Sequence, residues 1–210
     1  MYDTDQEQIE ALQKWWSKNG NWVVGGFIIF IAAYVGVQLY QNSTENHRLE
    51  ASAIYEELSE SLASGAQADE KHQQLIDELK DDYADLGYGI MAALLEAKIS
   101  VEEGDLDSAL TELDWALDNA DKTLTPVILY RKAQVLYALD ELDDALTALN
   151  AIEGEGHQAV SYELKGDILL EQGKVEDARA AYQTASDLAE SQSINNPYLK
   201  IKLDDLAVAE

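Results

Sequence analysis

The side chains best suited to chemistry in this chain are three histidines and many carboxylates. His47, His72 and His157 are scattered along the sequence, and none occurs in the HExxH-like arrangement that binds zinc. We therefore expect each histidine to lie on the surface. Acidic pairs such as Asp81–Asp82 and Asp143–Asp144 occur at turns and on polar helix faces, where solvation accounts for them. The pattern predicts neither a metal site nor a pair of catalytic carboxylates.

Other catalytic patterns are missing from the sequence as well. The chain contains no cysteine, which excludes a thiolate nucleophile, and it contains no GxSxG sequence. The Gly-Glu-Gly at residues 154–156 is not followed by Gly-Lys, so it predicts a turn rather than a phosphate-binding loop. We interpret the protein as a non-enzyme with no cofactor and no small-molecule substrate.

The charge balance narrows the choice of partners. The chain has 41 acidic and 14 basic residues, a formal net charge of −27. Such a surface repels the phosphates of nucleic acids and anionic lipid headgroups, so we expect no nucleic-acid partner. A well-solvated surface and the binding of basic partners both remain open.

One segment is apolar enough to cross a bilayer. Residues 22–40 read WVVGGFIIFIAAYVGVQLY, without a charge. Nineteen helical residues span about 28 Å, close to the hydrocarbon thickness of a membrane. We predict a transmembrane helix at 21–41, with aromatic side chains near the headgroups. The residues assigned to the span, in contact with inner-membrane lipid, include Trp22, Phe27, Ile31, Tyr34 and Tyr40.

Basic residues predict how this helix is oriented. Lys14 and Lys18 precede the apolar run, and only Arg48 follows it closely. The positive-inside rule then gives a cytoplasmic tail at 1–20 and a domain at 45–210 on the other side of the membrane. The run is not followed by a clear small-x-small cleavage site, so an uncleaved anchor is the better interpretation than a signal peptide.

The region beyond the anchor contains an internal repeat. Segments 96–117, 132–152 and 165–185 align without gaps. In each, a small residue is followed after seven positions by a turn residue, after five more by an alanine, and after four more by a large side chain. The four sets are Ala97, Ala133 and Gly166; Gly104, Asp140 and Gly173; Ala109, Ala145 and Ala178; and Leu113, Leu149 and Tyr182.

These spacings are typical of pairs of antiparallel helices that stack into a solenoid. Small residues let two backbones approach, and glycine ends a helix because it tolerates positive φ. The fold class is therefore all-α, a transmembrane helix followed by a helical-repeat solenoid. Residues 45–86 predict an N-terminal helical pair that extends the stack, and a capping helix begins near Pro197.

The repeat pattern resembles the tetratricopeptide repeat. It departs from that pattern at Glu96, Lys132 and Lys165, where an apolar residue is usual. The resemblance implies a concave surface lined by first-helix residues, with exposed tyrosines as anchors for a partner. The alternative interpretation of Tyr130 and Tyr137 is that they are core residues of the solenoid. The candidate partner-binding residues are Lys98, Tyr130, Gln134, Tyr137, Glu163 and Asp167.

The whole chain is similar to the YfgM family, the ancillary subunit of the bacterial SecYEG translocon. The similarity lies in the anchor and in the stretches YGIMAALLEAK, AIEGEG, ELKGDILLEQGK and DARAAY, at residues 88–98, 151–156, 163–174 and 177–182. It implies a bacterial inner-membrane protein with a periplasmic repeat domain, bound to SecYEG and to a PpiD-like periplasmic chaperone. The alternative is a helical-repeat scaffold of another cell-envelope complex, such as a division or outer-membrane assembly machine.

Overall fold

A computed structural model describes residues 3–63, 69–154, 156–192 and 194–207, with the side chains of residues 3–6 and 207 left out. These residues form α-helices and no strand, which confirms the predicted all-α class. The helices are α1 (Asp3–Ala63), α2 (Glu70–Asp82), α3 (Gly87–Glu103), α4 (Leu106–Asn119), α5 (Thr125–Ala138), α6 (Leu142–Asn150), α7 (Gln158–Glu171), α8 (Val175–Ser191) and α9 (Pro197–Ala207).

The chain divides into two compact units, one up to Glu50 and one from Ala51 onward. The first unit contains the apolar segment, and α1 is long and apolar enough there to cross a membrane. An 18-residue window of this helix has a mean hydropathy of 2.0, and none of it is buried by the protein. The five residues assigned to the span are all exposed, as lipid-facing side chains are.

The N-terminal pair differs in one respect from the sequence prediction. Residues 45–63, predicted as the first helix of the pair, are part of α1 and so belong to the same helix as the apolar segment. No glycine or proline interrupts the chain between Gly36 and Ala63. The predicted break at 64–70 falls mostly on residues 64–68, which lie outside the described residues. The second helix of the pair is α2, and its first turn is capped by the Asp69 carboxylate, which accepts from the Lys71 and His72 amides at 3.0 Å.

The second unit stacks its helices in antiparallel pairs. The three predicted repeats are α3–α4, α5–α6 and α7–α8, and successive pairs share hydrophobic cores. The end of α1 and α2 pack at the start of the stack, and α9 packs at its end. Ala109, Ala145 and Ala178 are completely buried, as expected of residues at which two backbones approach. The solenoid architecture is therefore confirmed.

The turn within each repeat has the same geometry. Gly104, Asp140 and Gly173 have φ values of 81°, 63° and 74°, in the left-handed region. The following residue donates its amide to a carbonyl five positions earlier, at 2.8–2.9 Å in all three turns. This bond closes a helix C-terminus in the Schellman manner. Asp140 is the only non-glycine residue with positive φ in the described part of the chain.

Candidate partner-binding site

The six residues predicted to line a concave surface all lie on the first helices of the repeats. They are Lys98 on α3, Tyr130, Gln134 and Tyr137 on α5, and Glu163 and Asp167 on α7. The structure places them in three groups. Glu163 and Asp167 contact α9, Lys98 and Gln134 line an open groove between α3 and α5, and Tyr130 and Tyr137 pack against the core of the second repeat.

The first group is held by a lysine of the terminal helix. Lys202 Nζ donates to Glu163 Oε1 at 3.0 Å and to the two Asp167 oxygens at 2.6 and 2.8 Å. Asn196 Nδ2 donates to the second Glu163 oxygen at 2.8 Å. The Tyr182 hydroxyl donates to Asp167 Oδ1 at 2.7 Å, and Lys202 Nζ lies 5.4 Å from the centroid of that ring. These five side chains, the α9 cluster, fix α9 against α7 and α8.

The charges of the α9 cluster follow from burial and from these bonds. Burial opposes the charge on Lys202, but the hydrogen bonds to Asp167 and Glu163 outweigh it and raise the pKa of Lys202. Burial, followed by the bond to Asp167, raises the pKa of Tyr182. At neutral pH the lysine is thus charged and the tyrosine hydroxyl is protonated, so neither Lys202 nor Tyr182 is a ready base or nucleophile.

Two tyrosines of α5 lie beside the α9 cluster. Tyr130 and Tyr137 are half-buried and pack against the core of the second repeat, so each is partly a core residue. The hydrogen bond to Glu171, followed by burial, raises the pKa of Tyr137 to about 12. Burial, followed by the charge of Glu163, raises the pKa of Tyr130. Their role in partner binding stays a prediction.

The second group of predicted residues lines a groove of about 700 Å³. Lys98 projects into it from α3 and Gln134 from α5, while α1 and α4 complete a mostly apolar lining. We call this the α3–α5 groove. It is lined by Tyr55, Met91, Leu94, Leu95, Ala97, Lys98, Val101, Glu102, Leu106, Leu113, Val127, Arg131, Gln134, Val135 and Ala138.

Two cations of the α3–α5 groove are available to a ligand. Lys98 Nζ lies 3.5 Å from Glu102 Oε1, but both side chains are about two-thirds exposed, so this pair is weak. Arg131 Nη1 donates to the Gln134 amide oxygen at 3.3 Å, and within the described part of the chain it forms no ion pair. The arrangement can accept apolar side chains beside a carboxylate.

A family model for the tetratricopeptide repeat-like domain matches residues 13–208. The chain belongs to this family. The match includes both the apolar helix and the repeats, and domains of this family are a scaffold type rather than a usual catalyst.

Several characterised proteins resemble this tetratricopeptide repeat-like chain over nearly its full length. The ancillary SecYEG translocon subunit of Haemophilus influenzae is 29% identical over 98% of this chain and 99% of its own length. The proteins of the same name from Escherichia coli and Neisseria gonorrhoeae are 28% and 26% identical, covering 99% and 96% of this chain and 99% and 97% of their own lengths. The family resemblance drawn from the sequence is confirmed.

Sequence reasoning missed Lys202 and Asn196 in this tetratricopeptide repeat-like domain. The prediction of a capping helix near Pro197 is confirmed, since α9 begins there. The lysine is separated from its carboxylate partners by 39 and 35 residues, so no local spacing connects them. The signal in the sequence that could have indicated this contact was a basic residue on the predicted capping helix, together with two acidic residues on α7.

The prediction that His72 lies on the surface is wrong. His72 is buried because its ring joins α2 to α1, with Nε2 3.0 Å from Ser61 Oγ. Nδ1 also accepts the Asp69 amide at 3.1 Å and completes a capping box. Among the described residues, no three His, Cys, Asp or Glu side chains are placed to hold a metal ion.

Proposed function

We propose that this protein is a non-catalytic, membrane-anchored adaptor of the SecYEG translocon. The observation that carries the proposal is similarity over the full length of both chains to proteins named ancillary SecYEG translocon subunit. A shared repeat alone would match only part of the chain, whereas here the anchor and the solenoid align together. The exposed apolar helix supports the anchor, because those side chains have no protein partner within their unit.

The proposed topology places the N-terminus in the cytoplasm and the repeats in the periplasm of a bacterial inner membrane. Lys14 and Lys18 precede the apolar segment of α1, and Arg48 is engaged after it with Glu45 at 2.9 Å. The positive-inside rule then favours this orientation. In the periplasm, the repeats would meet newly translocated chains and a PpiD-like chaperone, the partner that the family resemblance implies.

Crosslinking from the membrane segment tests the translocon association. A photoreactive amino acid at Ile31, near the middle of the apolar segment and exposed, reports on proteins that contact the span. We expect adducts with translocon subunits in intact cells and their co-purification from solubilised membranes. A matched probe at Thr111, exposed on α4, controls for random collision. Reproducible adducts only with division or outer-membrane assembly proteins would refute the proposal.

The absence of cysteine makes the topology simple to test. We expect Ser43→Cys to react with a membrane-impermeant maleimide in spheroplasts, because it follows the span. Ser17→Cys, which precedes the span, should react only after the membrane is broken. The reverse result would place the repeats in the cytoplasm and exclude a periplasmic chaperone as partner.

A further inference from the structure

Apolar side chains on the N-terminal part of α1 are exposed outside the predicted span. Ile9, Leu12 and Trp16 are 55%, 65% and 52% exposed, and they follow one another after three and four residues. That spacing places them on one face of the helix, which we call the N-terminal stripe. The charged residues of the same segment lie on the opposite face of the helix. They are Glu7, Glu10, Lys14 and Lys18.

Lipid does not reach this stripe while the helix is continuous. The helix α1 has no break between Asp3 and the apolar segment that begins at Trp22. At a rise of about 1.5 Å per residue, Leu12 and Ile9 lie about 15 and 20 Å along the helix from Trp22. A headgroup layer is only about 5–8 Å thick, and an average helix tilt of about 20° hardly shortens these distances. With the apolar segment in a membrane, both side chains therefore lie beyond the lipid, where their exposure to water is unfavourable.

The indole of the stripe is held in place by a glycine. Gly20 is buried, and a β-carbon at this residue would lie 3.1 Å from Cε2 of Trp16. One part of the ring thus rests on the helix backbone, while about half of the side chain stays exposed. A large aromatic side chain that is already ordered loses little conformational freedom when it binds a partner. These properties are typical of an anchor residue at the centre of an interface.

The stripe continues into the transmembrane segment on the same face of the helix. Steps of three or four residues lead from Trp16 through Gly20 into the span. The exposed side chains that they reach are Val23, Phe27, Phe30 and Tyr34. Alternating steps of three and four residues are the spacing at which two helices pack side by side. A partner that covers the stripe and this face of the span together must itself cross the membrane.

We propose that the N-terminal stripe packs against a transmembrane helix of a partner protein, whose apolar face extends beyond the headgroups on the same side of the membrane. The inference rests on the proposed function, which supplies a partner embedded in the membrane. A second copy of this chain fits less well, because two parallel copies would bring together two chains with a net charge of −27 each. A water-soluble partner could cover Ile9 and Leu12 but not the part of the face inside the bilayer.

In-cell photo-crosslinking from the stripe tests the proposal. A photoreactive amino acid replaces Leu12 in the full chain, and a matched probe replaces Glu10, which is exposed at nearly the same distance from the apolar segment. Two residues correspond to a rotation of about 200°, so the two probes face opposite directions. We expect an adduct between Leu12 and a membrane protein, mapped by mass spectrometry to the end of a transmembrane helix. The yield from Glu10 should be severalfold lower.

Replacement of the aromatic anchor then tests the packing of the stripe. With the probe at Leu12, we expect Trp16→Gln to lower the adduct yield about tenfold, because a central aromatic contact is lost. The matched control is Trp15→Gln, which removes the same kind of exposed side chain at the same depth. Trp15 lies about 100° around the helix from Trp16, outside the stripe, so its replacement should change the yield little.

Several results would overturn the proposal. They are equal yields from Leu12 and Glu10, no protein adduct from Leu12, an adduct only with lipid, with a second copy of this chain or with a water-soluble protein, or no effect of Trp16→Gln. If Trp16→Gln does not accumulate in the membrane, Ile9→Gln takes its place.

The two proposals can fail separately. If the Ile31 probe contacts translocon subunits while Leu12 gives no protein adduct, the stripe proposal fails and the proposed function stands. If Leu12 gives the expected adduct, but with a transmembrane helix of a division or outer-membrane assembly protein, the proposed function fails and the stripe proposal stands.

Discussion

Gly166 on α7 lies against the ring of Tyr182 on α8, the second helix of the same repeat. A β-carbon on Gly166 would lie 2.4 Å from Tyr182 Cε1 and 2.5 Å from Cδ1. Carbon atoms pack best at about 3.5–4.0 Å, so Gly166→Ala requires a shift of about 1 Å. The ring cannot turn aside freely, because it is buried and its hydroxyl is bonded to Asp167 at 2.7 Å.

The expected cost of Gly166→Ala combines two opposing effects. Overpacking of a well-packed core costs about 1–3 kcal/mol, and weakening a hydrogen bond to a carboxylate adds about 1.5 kcal/mol. Alanine is favoured over glycine in a helix by about 1 kcal/mol, which offsets part of the loss. We expect a net loss of about 1.5–3.5 kcal/mol in the free energy of unfolding, measured by urea denaturation of the detergent-solubilised chain.

The other repeats supply the rescue and the control. At the same separation of 16 residues they have Ala97 with Leu113 and Ala133 with Leu149. Gly166→Ala should therefore cost less than about 1 kcal/mol in a Tyr182→Leu background, a coupling within the range seen for contacting residues. Elsewhere, a β-carbon on Gly87 would meet nothing within 4 Å, so Gly87→Ala should not destabilise the protein.

Two outcomes would refute this reasoning. The first is equal stability of Gly166→Ala and the unmodified protein. The second is the same loss for Gly166→Ala with and without the Tyr182 ring, since the clash requires the ring. Either result would mean that α7 and α8 separate at little cost and that glycine at this position has another cause.

Three further predictions concern the α9 cluster, an α5 tyrosine and a turn. Lys202→Met should lower the free energy of unfolding by about 1–3 kcal/mol, because Glu163 and Asp167 lose their shared partner. This value lies between the cost of breaking an exposed ion pair and that of breaking a buried one. Lys200→Met, on an exposed residue of the same helix, should change the free energy of unfolding little. The pKa of Tyr137, raised to about 12, gives a contribution to stability that is complete below pH 10 and is lost as the pH rises through 12. Tyr137→Phe should remove this loss of stability at high pH. It should also remove the phenolate absorbance that appears near pH 12 in a spectrophotometric titration. An unchanged absorbance increase near pH 12 would show that it does not come from Tyr137. Asp140→Gly should stabilise the protein by about 0.5–1 kcal/mol, because glycine adopts the positive φ of 63° without strain, and a lower melting temperature would contradict this.

The repeat architecture could be predicted because its determinants are local. A turn residue at a fixed distance from a small residue sets where each hairpin bends, and Gly104 and Gly173 have positive φ at the predicted positions. Pro197 similarly begins α9, since proline is favoured in the first turn of a helix. These signals lie within about two helical turns of the feature they specify.

The α9 cluster and the burial of His72 could not be predicted in the same way. The partners of Lys202 lie 35 and 39 residues away, and their meeting depends on how three helices pack. His72 is buried because it bonds to Ser61 of another helix, 11 residues earlier. A polar residue on a helix has the same local pattern whether it faces solvent or a distant polar partner.

The three residues that depart from the repeat pattern all make the same kind of contact in the structure. Glu96, Lys132 and Lys165 replace the usual apolar residue, and each side chain reaches the last helix of the preceding pair. Glu96 accepts from Lys80 on α2 at 3.3 Å, Lys132 pairs with Asp114 on α4, and Lys165 donates to Asn150 on α6 at 2.8 Å. The position thus contributes a polar contact between successive helical pairs in place of apolar packing.

These polar contacts bear more on the arrangement of the repeats than on their stability. Exposed ion pairs contribute about 0.2–1 kcal/mol, less than the burial of a large apolar side chain; of the three contacts only the Lys80–Glu96 pair, with side chains 13% and 17% exposed, is mostly buried. Their directional bonds fix which residue of one pair faces which residue of the next, and a mismatch would leave charges unpaired. Apolar packing at the same position would tolerate sliding between pairs more readily. The substitutions that weaken the repeat pattern therefore specify the stacking on which the geometry of the α3–α5 groove depends.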